Sequence, residues 1–470
     1  MPIDINEILN QTRDKNFEIF EKHINPVLVK VLRITGFNRS WVRGEGSYLW
    51  DESGTRYLDF LTNWGVFNVG RRHPTIRNAL QQVLDSDFPG WIGLDAPPLA
   101  GVLASELTKR TPGNLDIVYF CNSGTEAVEA AIKFARASTG RPCSIHLAKS
   151  FHGLTTGALS LSGEQNFRRG FEPLLPNNLE LAPGDLNGLE ARLAQGDVAS
   201  FVFEPIQGKR VNILSNEYLL SAQNLCRKYK TLMICDEIQS GMGRSGRFLA
   251  CQWIEGLQPD IICLSKALSG GYVPLGATIT RRAIYDSVFD SMDRATVHAC
   301  TFGMGNLAMA AGLSTLTVLD DENLLARANK TGARFRRGIE AMVPRFEFLK
   351  GVQQRGMMIG IEFGKPNSLP LKAAWAMANK IDENLFAQAI VIPLLEDHHI
   401  LTQVAGHAVP IIKILPPLNI EDTDVDWFLS AFEDVMVKLH KFPGPAWEIL
   451  MKISNHALST KQKENRSADI

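Results

Sequence analysis

Four short, almost wholly apolar runs constrain this chain more than any other feature: DIVYFC at 116–121, SFVF at 200–203, TLMIC at 231–235 and DIICL at 260–264. Such a run has no face to offer water, so it predicts a strand buried on both sides. Helical patterns lie between them, at 98–110, 125–138, 217–230 and 305–319. Strands joined by helical crossovers pair in parallel. The region from about 95 to 325 therefore predicts a doubly wound α/β unit with a large, mostly parallel or mixed sheet.

The flanks read differently. Residues 1 to about 35 are helical and amphipathic, with Ile8, Leu9, Phe17, Ile19 and Phe20 at helical spacing. SYLWDESGTRYLDFL at 47–61 is a hairpin around the turn chemistry of Asp51-Glu52-Ser53-Gly54. Residues 326–450 read as α+β: helix 325–343, strand-like runs in 346–364, helix 371–387, strands 389–393 and 410–414, and helix 421–440. The expected division is 1–75 and 326–450 in a smaller domain, 76–325 in a large one, and a polar tail at 451–470.

With 49 basic and 50 acidic residues among 470, the chain lacks the basic footprint of a nucleic-acid binder. No stretch of about 18 residues is apolar throughout, so no membrane span is expected. The start, MPIDINEILNQTRDKNFEIF, has no apolar core behind a basic segment and does not read as a signal peptide. Seven scattered cysteines without a C-x-x-C pair disfavour a disulfide framework and a structural metal site, and predict a reducing, cytoplasmic setting.

In an open parallel sheet, ligands bind beyond the carboxyl ends of the strands. After 116–121 come Ser123, Gly124 and Thr125, opening the helix TEAVEAAIKFARAS. That turn can cradle a phosphate, or simply cap its helix. Glu204 follows 200–203, and Asp236 and Gln239 follow 231–235. Carboxylates there are costly unless paired, so they either cap a neighbouring element or meet a cation on a ligand. Lys266 follows 260–264 and precedes Gly270-Gly271. Alone it reads equally well as a solvated strand end or as a buried amine able to form a Schiff base. Together, a lysine, a carboxylate and a helix N-terminus match the aldehyde, the pyridinium nitrogen and the phosphate of pyridoxal phosphate.

From about residue 25 to 440 the sequence resembles the class III aminotransferases, which are fold type I pyridoxal phosphate enzymes. The resemblance rests on YLWDESGTRYLDF, CNSGTEAVEAAIKFAR, SFHGLTTGALS, FEPIQG, ICDEIQSGMGRSGRF, PDIICLSKALSGGYVPLGA and HACTFGMGNLAMAAG, in that order. Within the family it is most similar to the putrescine, ornithine and acetylornithine aminotransferase branch. The resemblance implies that Lys266 carries the cofactor and moves protons, and that Asp236 pairs with the pyridinium nitrogen. It implies that Gln239 meets the ring hydroxyl, that Ser123, Gly124 and Thr125 hold the phosphate, and that Phe151 stacks on the ring beside His152. It further implies that Thr301 reaches the other subunit's phosphate in an obligate homodimer, whose further pairing into a tetramer is open, and that Glu204 and Trp64 line the substrate side. His152 and His298 also read as ordinary turn histidines, and Phe151 as core.

The departures concern the substrate. Lys413 stands in IIKILPPL, where the family commonly has a carboxylate-gripping arginine. Lysine keeps the charge and loses the bidentate fork. Lys209-Arg210 replaces an acidic, glycine-rich continuation, and is either an anion-attracting feature or an exposed charged loop. Leu154 stands where ornithine-type relatives have an arginine. Gly305-Asn306-Leu307 replaces Gly-Asn-Pro. The expected function is transamination between a primary amine (diamine, ω-amino acid or amino acid) and an oxo acid. The alternatives are elimination, replacement, decarboxylation or carbon–carbon bond formation on the same scaffold, and a non-catalytic cofactor-binding protein, which would not need Lys266.

Overall fold

The computed structural model describes residues 3–90, 92, 94–381, 385–406, 409–444 and 447. Its centre is a seven-stranded sheet. In chain order the strands are β1 (Ile117–Cys121), β2 (Cys143–Leu147), β3 (Asn178–Leu181), β4 (Val198–Phe203), β5 (Leu232–Asp236), β6 (Ile261–Leu264) and β7 (Gly276–Thr280). Their spatial order is β1-β7-β6-β5-β4-β2-β3. β4 and β6 are buried at every position, as their almost wholly apolar sequences require. Pairing is parallel except at β7, which runs antiparallel between β1 and β6. β1 consequently points the same way as β6, and its carboxyl end joins the same edge.

The four predicted strands are present, within a residue or two at their ends. The sequence reading missed β2, β3 and β7, each for a visible reason. β2 carries Ser144 and His146, β3 carries Asn178 and Glu180, and β7 is GATIT. Their polar groups break the apolar run that identified the others. Ser144 and Ser200, for example, meet each other in the interior at 2.9 Å.

Helix Gly124–Thr139 shows why the segment after β1 folds as it does. Ser123 caps it by accepting the Glu126 N–H, Glu126 lies in its first turn and Arg136 in its last, and Gly140 ends it at φ 67°. Seven of its residues are buried, packing on β6 and β7 among others.

The flanking segments meet through strand pairing. The predicted hairpin is Tyr48–Asp51 with Arg56–Asp59, preceded by the strand Trp41–Glu45. Its second strand takes Ile400–Leu401 as a parallel neighbour, so the early and late parts of the chain share one sheet. A second four-stranded sheet contains Leu349–Arg355, Met358–Phe363, Ile411–Ile414 and Gln403–Val404 in that order. One expectation is corrected: 389–393 is not a strand but lies within helix Leu385–Glu396, with Pro393 inside it. A short, wholly apolar run cannot be assigned by period alone. Here it packs on helix Asp422–Leu439. The expected helix 371–387 corresponds to Leu369–Ile381 and the beginning of that next helix, and the polar tail 451–470 lies outside the described residues.

Residues 3–35 form three helices, Ile5–Thr12, Asn16–His23 and Pro26–Ile34, with a 3-10 turn at Arg13–Lys15. Ile5, Ile8, Leu9, Ile19, Val27, Leu28 and Val31 are exposed on them. No helix among the described residues is long and apolar enough to cross a membrane.

Arg244 ties the units together. Fully buried, it donates to the carbonyls of Met357 (3.0 Å) and Pro416 and to Asn68 Oδ1 (2.6 Å). Burial pushes its pKa down to about 9. Arg244→Met leaves three buried acceptors without this donor. We expect a loss of at least about 3 kcal/mol of stability, read as a lowered denaturant midpoint. A midpoint unchanged from the parent would show that the bridge is dispensable.

Candidate active site

The carboxyl ends of β1, β2, β4, β5 and β6 share one edge, and the predicted residues gather there. Asp236 ends β5 in register with Cys263 of β6, three residues before Lys266. Glu204 follows Phe203, which pairs with Cys235. Adjacent parallel strands thus deliver Glu204, Asp236 and Lys266 side by side. Phe151 and His152 arrive from the loop after β2.

Asp236 is 4% exposed, and its Oδ2 lies 2.8 Å from His152 Nδ1, while its Oδ1 accepts the Ile238 N–H at 3.0 Å. Burial alone would lower the His152 pKa, but the hydrogen bond and charge of Asp236, aided by Glu204, raise it above the ordinary value. His152 Nε2 is buried without a protein partner. The histidine is therefore held beside Asp236 at this sheet edge. His298 instead packs against the Tyr119 and Phe134 rings, at 4.5 and 5.4 Å, with its Nδ1 buried and without a protein partner among the described residues.

Lys266 has φ 43°, a left-handed backbone rare for a side chain of this size, and opens a 3-10 turn ending at Gly270. Strain of this kind persists where surrounding structure over-determines it. Burial pushes its amine below the ordinary lysine value, against the pull of Asp236 and Glu204. Lowered basicity leaves more of the amine unprotonated at neutral pH, the form that attacks a carbonyl.

At the other end, Ser123 Oγ is committed to the Glu126 N–H, and Thr125 Oγ1 lies 2.6 Å from Thr155 Oγ1. Among the described residues nothing accepts from the Gly124 or Thr125 backbone N–H. Two free donors at the positive end of a 16-residue helix suit an anion. Gly276 matters here because a Cβ would collide with the Ser123 carbonyl.

The remaining residues form a network on the opposite side. Glu204, 6% exposed, accepts the Phe151 N–H at 3.0 Å and the Gly208 N–H at 2.8 Å. Burial raises its pKa. Lys413 Nζ donates to the Gly208 carbonyl at 2.6 Å and to Gln239 Oε1 at 3.3 Å. Gln239 Nε2 donates to the Trp64 carbonyl at 2.9 Å. A Cβ at position 208 would lie 2.5 Å from Gln239 Oε1, so a larger residue would have to displace the Gln239 amide. The sequence reading did not find Gly208, and only the FEPIQG motif contains it.

Trp64 sits on a left-handed turn: φ is 46°, 50°, 58° and 87° at Thr62, Asn63, Trp64 and Gly65. Each non-glycine residue there costs roughly 1–2 kcal/mol. Asp59 Oδ1 holds the turn by accepting the Leu61 and Thr62 N–H groups, and Thr62 Oγ1 donates to the Leu415 carbonyl at 2.7 Å. The result presents the indole, 53% exposed, at the surface. Thr301 and Leu154 are also exposed. Thr301 follows Cys300, whose Sγ accepts from Asn122 Nδ2 at 2.9 Å, so its loop lies beside the Ser-Gly-Thr turn.

Burial, with the charges of Lys209 and Lys266, lowers the Lys413 pKa from 10.5 to about 7. The unfolded chain holds this proton to higher pH than the folded chain does. Folding stability from this group therefore rises between about 7 and 10.5, by at most about 1.4 kcal/mol per pH unit. Below about 7 both states are protonated and the cost of the buried charge is present in full. Lys413→Met should flatten the rise in unfolding free energy between pH 7 and 9. An unchanged slope would contradict this assignment.

The family model described as aminotransferase class-III matches residues 35–436. The aminotransferase PigE of Serratia sp. (strain ATCC 39006) is 34% identical over 462 residues, covering 92% of this chain and 54% of PigE. The chain thus spans about half the length of that curated relative. Among solved structures, ornithine aminotransferase from Toxoplasma gondii ME49 superposes with a TM-score of 0.80 at 26% identity, covering 94% of this chain and 99% of that one. An amine transaminase from an uncultivated Pseudomonas species, in a PLP-bound form, gives 0.75 at 25% identity, covering 86% and 95%.

Proposed function

The chain belongs to the class-III aminotransferases, and we propose that it is a pyridoxal phosphate enzyme moving an amino group between a primary amine and an oxo acid. One observation carries this reading: a half-buried amine and a buried carboxylate stand on adjacent strand ends, at the same sheet edge as a helix N-terminus with two free N–H donors. These groups fit the aldehyde, the ring nitrogen and the phosphate. The carboxylate keeps accepting capacity beyond His152 and Ile238.

Once bound, the cofactor supplies an electron sink for the substrate carbanion. The chain supplies the rest. Lys266 would hold the cofactor through its amine and move a proton at the substrate carbon that bears the amino group. Asp236, oriented by His152, holds a proton on the ring nitrogen. Ser123, Gly124 and Thr125 receive the phosphate, and Phe151 covers a ring face. Gln239 faces the ring hydroxyl, while Glu204, Trp64 and Lys413 border the substrate. The large domain, 76–325, would supply the sheet edge, and the segments 1–75 and 326–450 the smaller domain over it. Primary amines, including diamines and ω-amino acids, are the proposed donors, in keeping with the ornithine and amine transaminase relatives.

The working unit is proposed to be a homodimer in the cytoplasm. Exposed apolar residues on the first three helices, and Phe302 at 67% exposure beside Thr301, are the surfaces it would cover. Thr301 would then reach the partner's phosphate.

The test is an absorbance titration of the cofactor-loaded protein with putrescine, ornithine, glutamate and further amines, followed by product analysis. Conversion to the pyridoxamine form with release of an aldehyde or oxo acid is expected. Product formed without that conversion would sink the transaminase reading.

A further inference from the structure

The transaminase reading requires a place for the carboxylate of an oxo acid, and the residue expected there, Lys413, is poorly disposed to provide it. Its side chain is buried, and two of its three N–H donors are spent on the Gly208 carbonyl and Gln239. It ties the strand Ile411–Ile414 to the loops after β4 and β5.

Lys209 is the opposite case. It lies between the paired strands Ile206–Gln207 and Asn212–Ile213, one residue beyond the glycine that Lys413 grips. This hairpin is firmly held. Val211 is fully buried at φ 54°, a costly conformation for a β-branched residue, and packs where Gly360 leaves room. The Lys209 ammonium stands 4.9 Å from the Phe151 ring centroid and 4.2 Å from that of Phe167. The rings themselves meet edge to face at 5.3 Å. Two aromatic faces hold the charge in place while leaving its N–H donors unspent. No hydrogen-bond acceptor or ion-pair partner meets it among the described residues. Glu164 and Glu204 attract it through space, and Lys266 opposes it, which places this charge within electrostatic reach of the catalytic lysine.

We propose that Lys209 is the carboxylate-binding residue of the substrate pocket, its ammonium on the Phe151 and Phe167 rings meeting the carboxylate of the oxo acid while Lys413 serves to fix the loops around it. A bound carboxylate would also relieve the mutual repulsion of Lys209, Lys266 and Lys413. This inference rests on the transaminase reading, but its test does not depend on turnover.

The experiment is calorimetric titration of the cofactor-loaded protein with glutarate and with butyrate, which carry carboxylates but neither an amine nor an oxo group. The parent is expected to bind at least one of them. Lys209→Met and Lys209→Gln should weaken that binding about tenfold or more, the scale of a lost charge-assisted hydrogen bond, and Lys209→Arg should stay within about threefold of the parent. The proposal is overturned if the parent binds neither acid, if the neutral variants bind as tightly as the parent, or if affinity is lost in Lys413→Met but kept in Lys209→Met. Should the amine titration yield no pyridoxamine form while carboxylate binding still depends on Lys209, the transaminase reading fails and the carboxylate site stands.

Discussion

Lys266→Ala is expected to lower turnover by at least about 10⁴-fold while leaving the fold and much of the cofactor affinity in place. The size of the effect follows from the two jobs assigned to one atom. In the proposed function Nζ is both the amine that would form the covalent link and the base that would move the proton. No neighbour can take over. Lys413 is tied to the Gly208 carbonyl and Gln239, and Lys209 is seated on two rings. Folding should tolerate the change because alanine removes an amine whose charge is penalised by desolvation. The measurement is the single-turnover rate with the best amine, alongside the cofactor absorbance. A variant turning over within tenfold of the parent would remove Lys266 from the mechanism.

Asp236→Asn should rank next, with a rate loss of about 10²–10³-fold, the scale for deleting one preorganised electrostatic partner. The substitution keeps the shape and removes the negative charge. Without that charge, the His152 pKa falls, because burial is then opposed mainly by Glu204. Under the proposed assignment the ring nitrogen would likewise lose the group that keeps it protonated, and the cofactor would be a weaker electron sink. The check is the rate together with the His152 titration by NMR in the cofactor-free protein. If the rate falls but the His152 pKa stays raised, Asp236 would act on the cofactor alone and the orienting pair would be dispensable.

What could be read from the sequence follows from locality. Asp236, Glu204 and Lys266 were legible because each is a charged residue immediately after an apolar strand, and parallel strands bring their carboxyl ends together. The helix after Ser123 carried its own cap and charge signals. By contrast, Lys413 meets Gly208 and Gln239 across 205 and 174 residues, and no local pattern announces such a contact. The left-handed turn under Trp64 is equally silent, since it is imposed by Asp59 and the Leu415 carbonyl and not by the turn's own residues. The helix at 385–396 defeated the pattern for another reason. Burial on all sides erases the periodicity that distinguishes helix from strand. Lys209 lay between these cases. Its departure from the family pattern was visible, but its two ring partners were not.

The central claim is that, of the lysines near this sheet edge, Lys266 carries the cofactor. The most direct test is to reduce the cofactor-loaded protein with borohydride, digest it and locate the phosphopyridoxyl label by mass spectrometry. The account predicts a single label on Lys266; a label on Lys413 or Lys209, or none at all, would contradict it.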